Sequence, residues 1–275
     1  MPEAIDVLCD VGEGPYWDGA ARQWSWVDNA KGLIFLKNGN DIHTIDPDVK
    51  VVAAVPKASG GWLLAAYDGL YDFDEIARPW AGSGLSGTRY NDGKCDALGR
   101  FWVGTMSLTG EAGQGALYRV DDGISLIAFG FDVCNGLGFS PDNNWFYLTD
   151  TGQRVIYRYR FDLKAGTISD REIFFRFPPE MGKPDGLAVD DQGGIWCAMW
   201  DGAQLVRLTP GGTVAETVAL PVPRPTSLAF GDGDLLVTTA RAGLTTAQIE
   251  AAPLSGRPLL YPTDLKGAAA HPFAG

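Results

Sequence analysis

An internal repeat constrains the fold of this chain more than any other feature of its sequence. The clearest copy is Asn135–Asp162, where a short apolar strand, a P-D-N-N turn, an aromatic strand, a polar turn and an alternating strand follow one another. Pro184–Gly212 repeats the same order of segments. The six copies begin near Gly14, Gly60, Asn91, Asn135, Asp185 and Thr226. Most of these starts are roughly 40 to 50 residues apart, which is the period of four-stranded propeller blades.

The repeat predicts an all-β, six-bladed β-propeller that occupies residues 1–275 as a single domain. Turns rich in Gly, Pro or Asp interrupt the chain about every eight to twelve residues, so helical periodicity is nearly absent. Only Thr246–Ala251 is expected to form a helical turn. Because a propeller must close its ring, we expect a strand at Ile5–Cys9 to pair with the last blade near Leu259–Leu265.

The formal net charge of −12 at pH 7 limits the partners of the chain. Nucleic-acid binding requires clustered Lys and Arg, and the sequence has no basic run, so neither nucleic acids nor anionic membrane surfaces are expected partners. The sequence shows no signal peptide and no long apolar run, which predicts a cytoplasmic protein. The four cysteines form no C-x-x-C pair and are interpreted as small buried hydrophobic residues. We expect a monomer or a weak dimer that acts on a small molecule.

Four of the predicted blades begin with a polar side chain shortly before a Gly. These residues are Glu13, Asn91, Asn135 and Asp185. An Asn or Asp before Gly is commonly a turn former whose side chain bonds its own backbone, and this explains each residue taken singly. Their matching position in four repeats instead favours one shared site on the propeller axis, where the loops that precede the innermost strands converge.

Carboxylate and amide oxygens are hard ligands, so the shared site is predicted to bind one divalent metal ion. Oxygen ligands suit Ca²⁺, Mg²⁺ or Mn²⁺, and Zn²⁺ and Fe²⁺ stay open as alternatives because the sequence does not fix the identity of the ion. Two carboxylates and one amide leave coordination positions for water and substrate, which is typical of a catalytic site rather than a structural one.

The four segments resemble those of the regucalcin and gluconolactonase family of six-bladed propellers. The similarity covers about Cys9–Leu244, and its most distinctive stretch is R-Y-N-D-G-K-C-D-A-L-G-R-F-W-V-G-T-M at Arg89–Met106. Members of this family hydrolyse aldonolactones, so the resemblance implies a metal-dependent sugar lactonase.

The resemblance also implies roles for individual residues. The family's metal ligands correspond to Glu13, Asn135 and Asp185 in this sequence, and its substrate-binding residues correspond to Arg89 and Asn91.

One position departs from the family pattern. Some relatives carry an acidic residue soon after G-T-M, and here Thr109 occupies the aligned place while Glu111 lies two positions further on. Glu111 is therefore the candidate for contacts with the hydroxyl groups of the substrate, and Thr109 is the alternative.

The chemistry of ring opening assigns further roles. Water must lose a proton as it attacks the lactone carbonyl, and Asp185 is the expected general base. Arg89 is expected to hold the carbonyl or the ring hydroxyls with its planar set of donors. Two other functions stay open: a related hydrolase of organophosphates or other esters, and a calcium-binding propeller without turnover.

Overall fold

A computed structural model describes residues 2–275 of the protein. Within this range the chain forms six four-stranded antiparallel sheets, one short α-helix and one 3₁₀ turn at Pro179–Met181. The six sheets are the blades of a β-propeller, which confirms the predicted fold class. Among the same residues, no helix is both long enough and apolar enough to cross a membrane.

Blades 1 to 3 follow one another along the chain after a short first strand, β1 (Glu3–Ala4). Blade 1 contains β2 (Gly12–Asp18), β3 (Gln23–Asp28), β4 (Leu33–Asn38) and β5 (Asp41–Ile45). Blade 2 contains β6 (Val51–Pro56), β7 (Trp62–Ala66), β8 (Leu70–Phe73) and β9 (Ala77–Pro79). Blade 3 contains β10 (Thr88–Cys95), β11 (Phe101–Ser107), β12 (Gly115–Val120) and β13 (Ile124–Phe131).

Blades 4 to 6 complete the ring. Blade 4 contains β14 (Cys134–Phe139), β15 (Trp145–Asp150), β16 (Val155–Asp162) and β17 (Thr167–Arg176). Blade 5 contains β18 (Lys183–Val189), β19 (Ile195–Trp200), β20 (Gln204–Leu208) and β21 (Val214–Ala219). Blade 6 contains β22 (Pro225–Gly231), β23 (Asp234–Thr239), β24 (Leu259–Pro262) and β1. The predicted helical turn is confirmed as α1 (Thr246–Ala251), which begins at a capping box formed by Thr245 and Gln248.

Burial decreases from the axis to the rim of each blade. In blade 4, all six residues of the innermost strand β14 are buried, whereas most of the outermost strand β17 is exposed. Six hydrophobic clusters lie between neighbouring blades, and the cluster between blades 6 and 1 contains Ile5, Trp26 and Leu236. Each sheet is therefore covered on both faces by its neighbours, which makes the innermost strands the most protected part of the chain.

Two boundaries differ from the sequence prediction. The ring closes through Glu3–Ala4, which pairs with Leu259 and Leu260 of β24, and not through a strand at Ile5–Cys9. Ile5 and Cys9 are instead irregular and buried, and their backbone N–H groups donate to carbonyls at the edge of blade 6. The predicted partner region is correct, but the residues that pair come just before the predicted strand.

The predicted position of the start of blade 2 was also wrong. Gly60 precedes the second strand of that blade, β7, and the innermost strand is β6 at Val51–Pro56. This strand is almost wholly buried and apolar, and it lacks the polar residue before Gly that marks four of the other five starts.

Ile5 allows the role of the N-terminal segment in ring closure to be tested. We expect Ile5→Ala to lower the free energy of unfolding by about 2–3 kcal/mol, because it removes a fully buried side chain between blades 6 and 1. The whole protein should unfold at a lower temperature, with Tm reduced by about 5 °C or more. Asp6→Ala is the matched control, since Asp6 is exposed and its ion pair with Arg257 lies at the surface. Equal Tm values for the two variants would contradict this role.

Candidate functional site

All six innermost strands carry a β-bulge near the end at which they enter the propeller. The bulges lie between Glu13 and Tyr16, Val51 and Ala53, Tyr90 and Gly93, Asn135 and Leu137, Pro184 and Leu187, and Pro225 and Ser227. A bulge bends its strand and redirects the side chains beside it. The four polar residues predicted from the repeat all lie at or within such a bulge, at the same end of the central channel.

Two buried carboxylates fix the loops that lead into this end of the channel. Asp28 accepts from two backbone N–H groups just before Glu13, and Asp150 accepts from two just before Asn135. The donors are Asp10 and Val11, at 2.9 and 3.1 Å, and Asp132 and Val133, at 3.2 Å each. Both carboxylates are fully buried at the ends of second strands, so they hold the starts of two innermost strands in place.

Asn135 and Asp185 meet on the axis. The Asn135 Nδ2 group donates to Oδ1 of Asp185 and to Oγ1 of Thr151, at 3.2 Å in the second case. Asn135 Oδ1 accepts from the backbone N–H of Gly136 at 3.1 Å. A Cβ on Gly136 would lie 2.5 Å from the carbonyl oxygen of Asp185, so only glycine permits this approach of blades 4 and 5.

Arg89 and Asn91 are joined to the same centre. Arg89 Nη1 donates to Oδ1 of Asn91 at 3.1 Å and to the carbonyl of Tyr90 at 2.9 Å. Asn91 Nδ2 donates to the carbonyl of Cys134, the residue beside Asn135, at 3.3 Å. The structure therefore brings together Arg89, Asn91, Asn135 and Asp185.

Negative charge is concentrated at this point. Asp185 and Asn135 are 5% and 7% exposed, and Glu13 is half-buried. Burial raises the pKa of both Glu13 and Asp185 well above the usual range, and repulsion from neighbouring carboxylates, including Asp92, raises it further. Arg89 acts in the opposite direction on Glu13. The arrangement favours a cation between these carboxylates.

The structure does not bring Glu111 to this group. Glu111 and Thr109 are exposed on the loop between β11 and β12, where the Thr109 and Ser107 hydroxyls are 3.1 Å apart. Among residues 2–275, no hydrogen bond joins either side chain to Arg89, Asn91, Asn135 or Asp185. A role for Glu111 in substrate binding stays a prediction.

Asp92 and Lys94 were missed by the sequence analysis. Asp92 accepts from the N–H of Gly93 at 2.7 Å, and Lys94 Nζ donates to the carbonyl of Leu187 at 3.0 Å. Burial raises the pKa of Asp92 and lowers that of Lys94, and each charge partly offsets the effect of burial on the other. The signal was present, because both residues belong to the N-D-G-K segment that supplies Asn91.

A cavity of about 320 Å³ occupies the other end of the central channel. It is lined by the later halves of the innermost strands, from Gly14–Trp17 to Ser227–Phe230, and by Gly267–His271 of the C-terminal segment. Asp92 and Lys94 line this cavity, but Glu13, Asn135 and Asp185 do not. This cavity and the cluster of site residues thus lie at different depths along the same axis.

The side chains at this centre that could hold a metal ion offer oxygen atoms as ligands. Among residues 2–275, no group of three or more His, Cys, Asp or Glu side chains is arranged to hold an ion. The possible ligands are of two kinds: the carboxylates of Glu13 and Asp185 and the amide oxygen of Asn135. An amide oxygen has two lone pairs, so its bond from Gly136 leaves it able to face a cation. These hard ligands fit a divalent ion such as Ca²⁺, Mg²⁺ or Mn²⁺.

The fold and the site define a six-bladed propeller with an acidic, oxygen-lined centre on its axis. A family model described as the SMP-30/Gluconolactonase/LRE-like region matches residues 11–241, and the chain belongs to this family.

Several relatives and solved structures are similar over most of their length. The chain is 36% identical to a pentonolactonase of Haloferax volcanii, over 87% of this chain and 85% of the relative. It is 32% identical to a 6-deoxy-6-sulfogluconolactonase of Pseudomonas putida, over 96% and 95%. The crystal structure of a calcium-binding protein, regucalcin, from Agrobacterium tumefaciens superposes with a TM-score of 0.90 and 26% identity, over 100% of this chain and 98% of that one.

Glu13 tests whether the axial carboxylates bind an ion. Glu13→Gln keeps the size of the side chain and removes one of the two proposed ligand charges. We expect the affinity for a divalent ion, measured by calorimetric titration, to fall by about 2 kcal/mol or more, because a buried charge-assisted contact is lost. Glu111→Gln makes the same charge change on an exposed loop and should leave the affinity unchanged. If Glu13→Gln binds the ion as tightly as the parent, Glu13 is not a metal ligand and has only a structural role at the bulge.

Proposed function

We propose that the protein is a metal-dependent hydrolase that opens sugar lactones to the corresponding aldonic acids. The observation that carries this proposal is that hydrogen bonds join Asp185 to Asn135, Arg89 to Asn91, and Asn91 to the carbonyl of Cys134 beside Asn135, in one group on the central channel. Such a group combines a base, metal-ligand oxygens and a donor for a carbonyl. The names of the relatives, a pentonolactonase and a sulfogluconolactonase, support the same class of substrate.

A divalent ion fits the residues present. Burial raises the pKa of both the Glu13 and the Asp185 carboxyl, and Asp185 raises that of Glu13 further, because burying charge without compensation is costly. We propose that Glu13, Asn135 and Asp185 hold one such ion. When bound, it would lower the pKa of a water molecule and polarise the lactone carbonyl.

Asp185 is the proposed general base. Its carboxylate takes a proton from water as the water oxygen forms a bond to the carbonyl carbon, and the proton then passes to the ring oxygen as the ring C–O bond breaks. Asn135 donates to the Asp185 carboxylate, which orients it and opposes the rise in its pKa.

Arg89 and Asn91 are proposed to position the sugar. Both side-chain hydrogen bonds of Arg89 come from Nη1, so Nε and Nη2 have no protein acceptor among residues 2–275. These donors form part of a planar fork that suits a carbonyl or a pair of hydroxyl groups. The bond to Asn91 holds the guanidinium in place before substrate arrives.

A calcium-binding propeller without turnover is the second candidate. It is favoured by the likeness to a structure described as a calcium-binding regucalcin. Both candidates require the same ligands, so binding of an ion does not separate them. Turnover of a lactone does.

Asp185 separates the two candidates. Asp185→Asn preserves the shape of the side chain and one oxygen, and removes the basic oxygen. If the protein is a lactonase, kcat should fall by about 10²-fold or more while the variant stays folded. The assay is a pH-indicator measurement of aldonolactone opening, with the spontaneous rate subtracted at each pH.

The activity of the parent protein decides between the lactonase and the calcium-binding candidate. Parent protein that is loaded with metal and opens no lactone above the spontaneous rate would refute the enzymatic function and leave the calcium-binding candidate. A fully active Asp185→Asn would retain the lactonase and assign the base to another residue, with Glu13 next in position. Circular dichroism and Tm of both proteins show whether any loss comes from unfolding.

A further inference from the structure

Two cations and an aromatic ring lie next to the group of site residues. Arg89 Cζ lies 4.7 Å from the centre of the Tyr67 ring, and Lys50 Nζ lies 4.3 Å from the same point. We call Lys50, Tyr67 and Arg89 the cationic edge. Arg89 also touches the site itself through its bond to Asn91, so the cationic edge is continuous with the group around Asp185.

The backbone places these three residues at the same end of the propeller as Glu13. Lys50 immediately precedes the innermost strand β6, and Arg89 is the second residue of the innermost strand β10. Tyr67 follows β7, which returns antiparallel to β6, and its N–H donates to the carbonyl of Lys50 at 3.1 Å. Neighbouring blades 2 and 3 therefore supply the edge from fixed positions.

Protein offsets the positive charge of the edge only in part, through the attraction between Arg89 and Glu13. Several other cations of the chain have carboxylate partners: Lys31 pairs with Asp28 and Asp10, Lys57 with Asp72, and Arg224 with Asp201. Within residues 2–275, neither Lys50 nor Arg89 forms a salt bridge. Lys50 is exposed, so its ammonium is available to a ligand. Two unpaired cations on one ring contrast with a chain whose net charge is −12.

We infer that the cationic edge selects sugar lactones that carry a second, anionic group such as a carboxylate, sulfonate or phosphate remote from the ring carbonyl. This inference rests on the proposed lactonase function and names its substrate class. A lactone whose carbonyl faces Asp185 and Asn135 would extend its far substituent along Arg89 towards Tyr67 and Lys50. A neutral hydroxymethyl group there gains little from two cations, whereas an anion gains a charge-assisted contact with Lys50.

The Tyr67 ring strengthens this selection. An aromatic face attracts both cations and limits their movement, which reduces the entropy lost when an anion binds. The ring also covers one side of the charges, and contacts between charges are stronger where water is partly excluded. Lys50 is the residue of the edge that discriminates, because Arg89 also serves the neutral part of the sugar.

The test compares three lactones. Glucono-δ-lactone is neutral, 6-phosphoglucono-δ-lactone carries a phosphate, and a glucarolactone carries a carboxylate. The quantity measured is the ratio of kcat/KM for an anionic lactone to kcat/KM for the neutral one. In the parent this ratio should exceed about fivefold and decrease as salt is raised from 10 to 300 mM, because salt screens exposed charges. The two anionic substrates show whether the edge prefers phosphate or carboxylate.

Lys50→Gln should lower the ratio about fivefold, and Tyr67→Ala should lower it by a smaller factor. Lys164→Gln is the matched control, since Lys164 is an exposed lysine in the turn after β16, at the opposite end of the propeller. It should leave the ratio unchanged. A parent that prefers the neutral lactone, or a Lys50→Gln variant with the same ratio as the parent, would overturn the inference.

Binding of the product acids separates this inference from the lactonase function. Calorimetric titration with 6-phosphogluconate and gluconate requires no turnover. If no lactone is opened but 6-phosphogluconate binds more tightly than gluconate and loses this advantage in Lys50→Gln, the lactonase function fails and the anion-selective edge stands. Equal affinities for the two acids would overturn the edge, whether or not lactones are opened.

Discussion

Burial of negative charge on the propeller axis is the constraint on which the rest of the site depends. Glu13, Asp92 and Asp185 lie where six innermost strands converge, and burial there raises the pKa of each. Arg89 and Lys94 offset part of this charge. A divalent ion, as we propose, would offset the remainder and turn an unfavourable cluster into a reactive one. Stability and chemistry are thus expected to depend on the same group of atoms.

The site can form only when the ring is complete. Glu13 comes from blade 1 and Asp185 from blade 5, and the last blade closes through a strand from the N-terminal end of the chain. The bulges at the start of the innermost strands redirect the polar side chains, while Asp28 and Asp150 hold the loops before two of them. Each blade repeats the scaffold, and the site arises from the residues in which the blades differ.

Much of this could be predicted from the sequence, because four of the blades begin with a polar residue close to a Gly at a bulge. The start of blade 2 could not be predicted in this way, since Val51–Pro56 is an almost continuous buried apolar run without a polar residue before a Gly. The error had a further consequence: with the start placed at Gly60, the contacts of Lys50 and Arg89 with the Tyr67 ring were not foreseen. The hydrogen bond between Asn135 and Asp185 was also beyond sequence reasoning, because it depends on how closely two blades approach at Gly136.

The central claim is that buried oxygen ligands and a divalent ion together open a sugar lactone. The most direct measurement is the rate of glucono-δ-lactone opening by the parent protein after chelator treatment and again after one equivalent of Ca²⁺, Mg²⁺, Mn²⁺, Fe²⁺ or Zn²⁺ is added, with the spontaneous rate subtracted. The account predicts that stripping abolishes turnover and that at least one ion restores it, by about 10²-fold or more. Full activity in protein verified to be free of metal would contradict it.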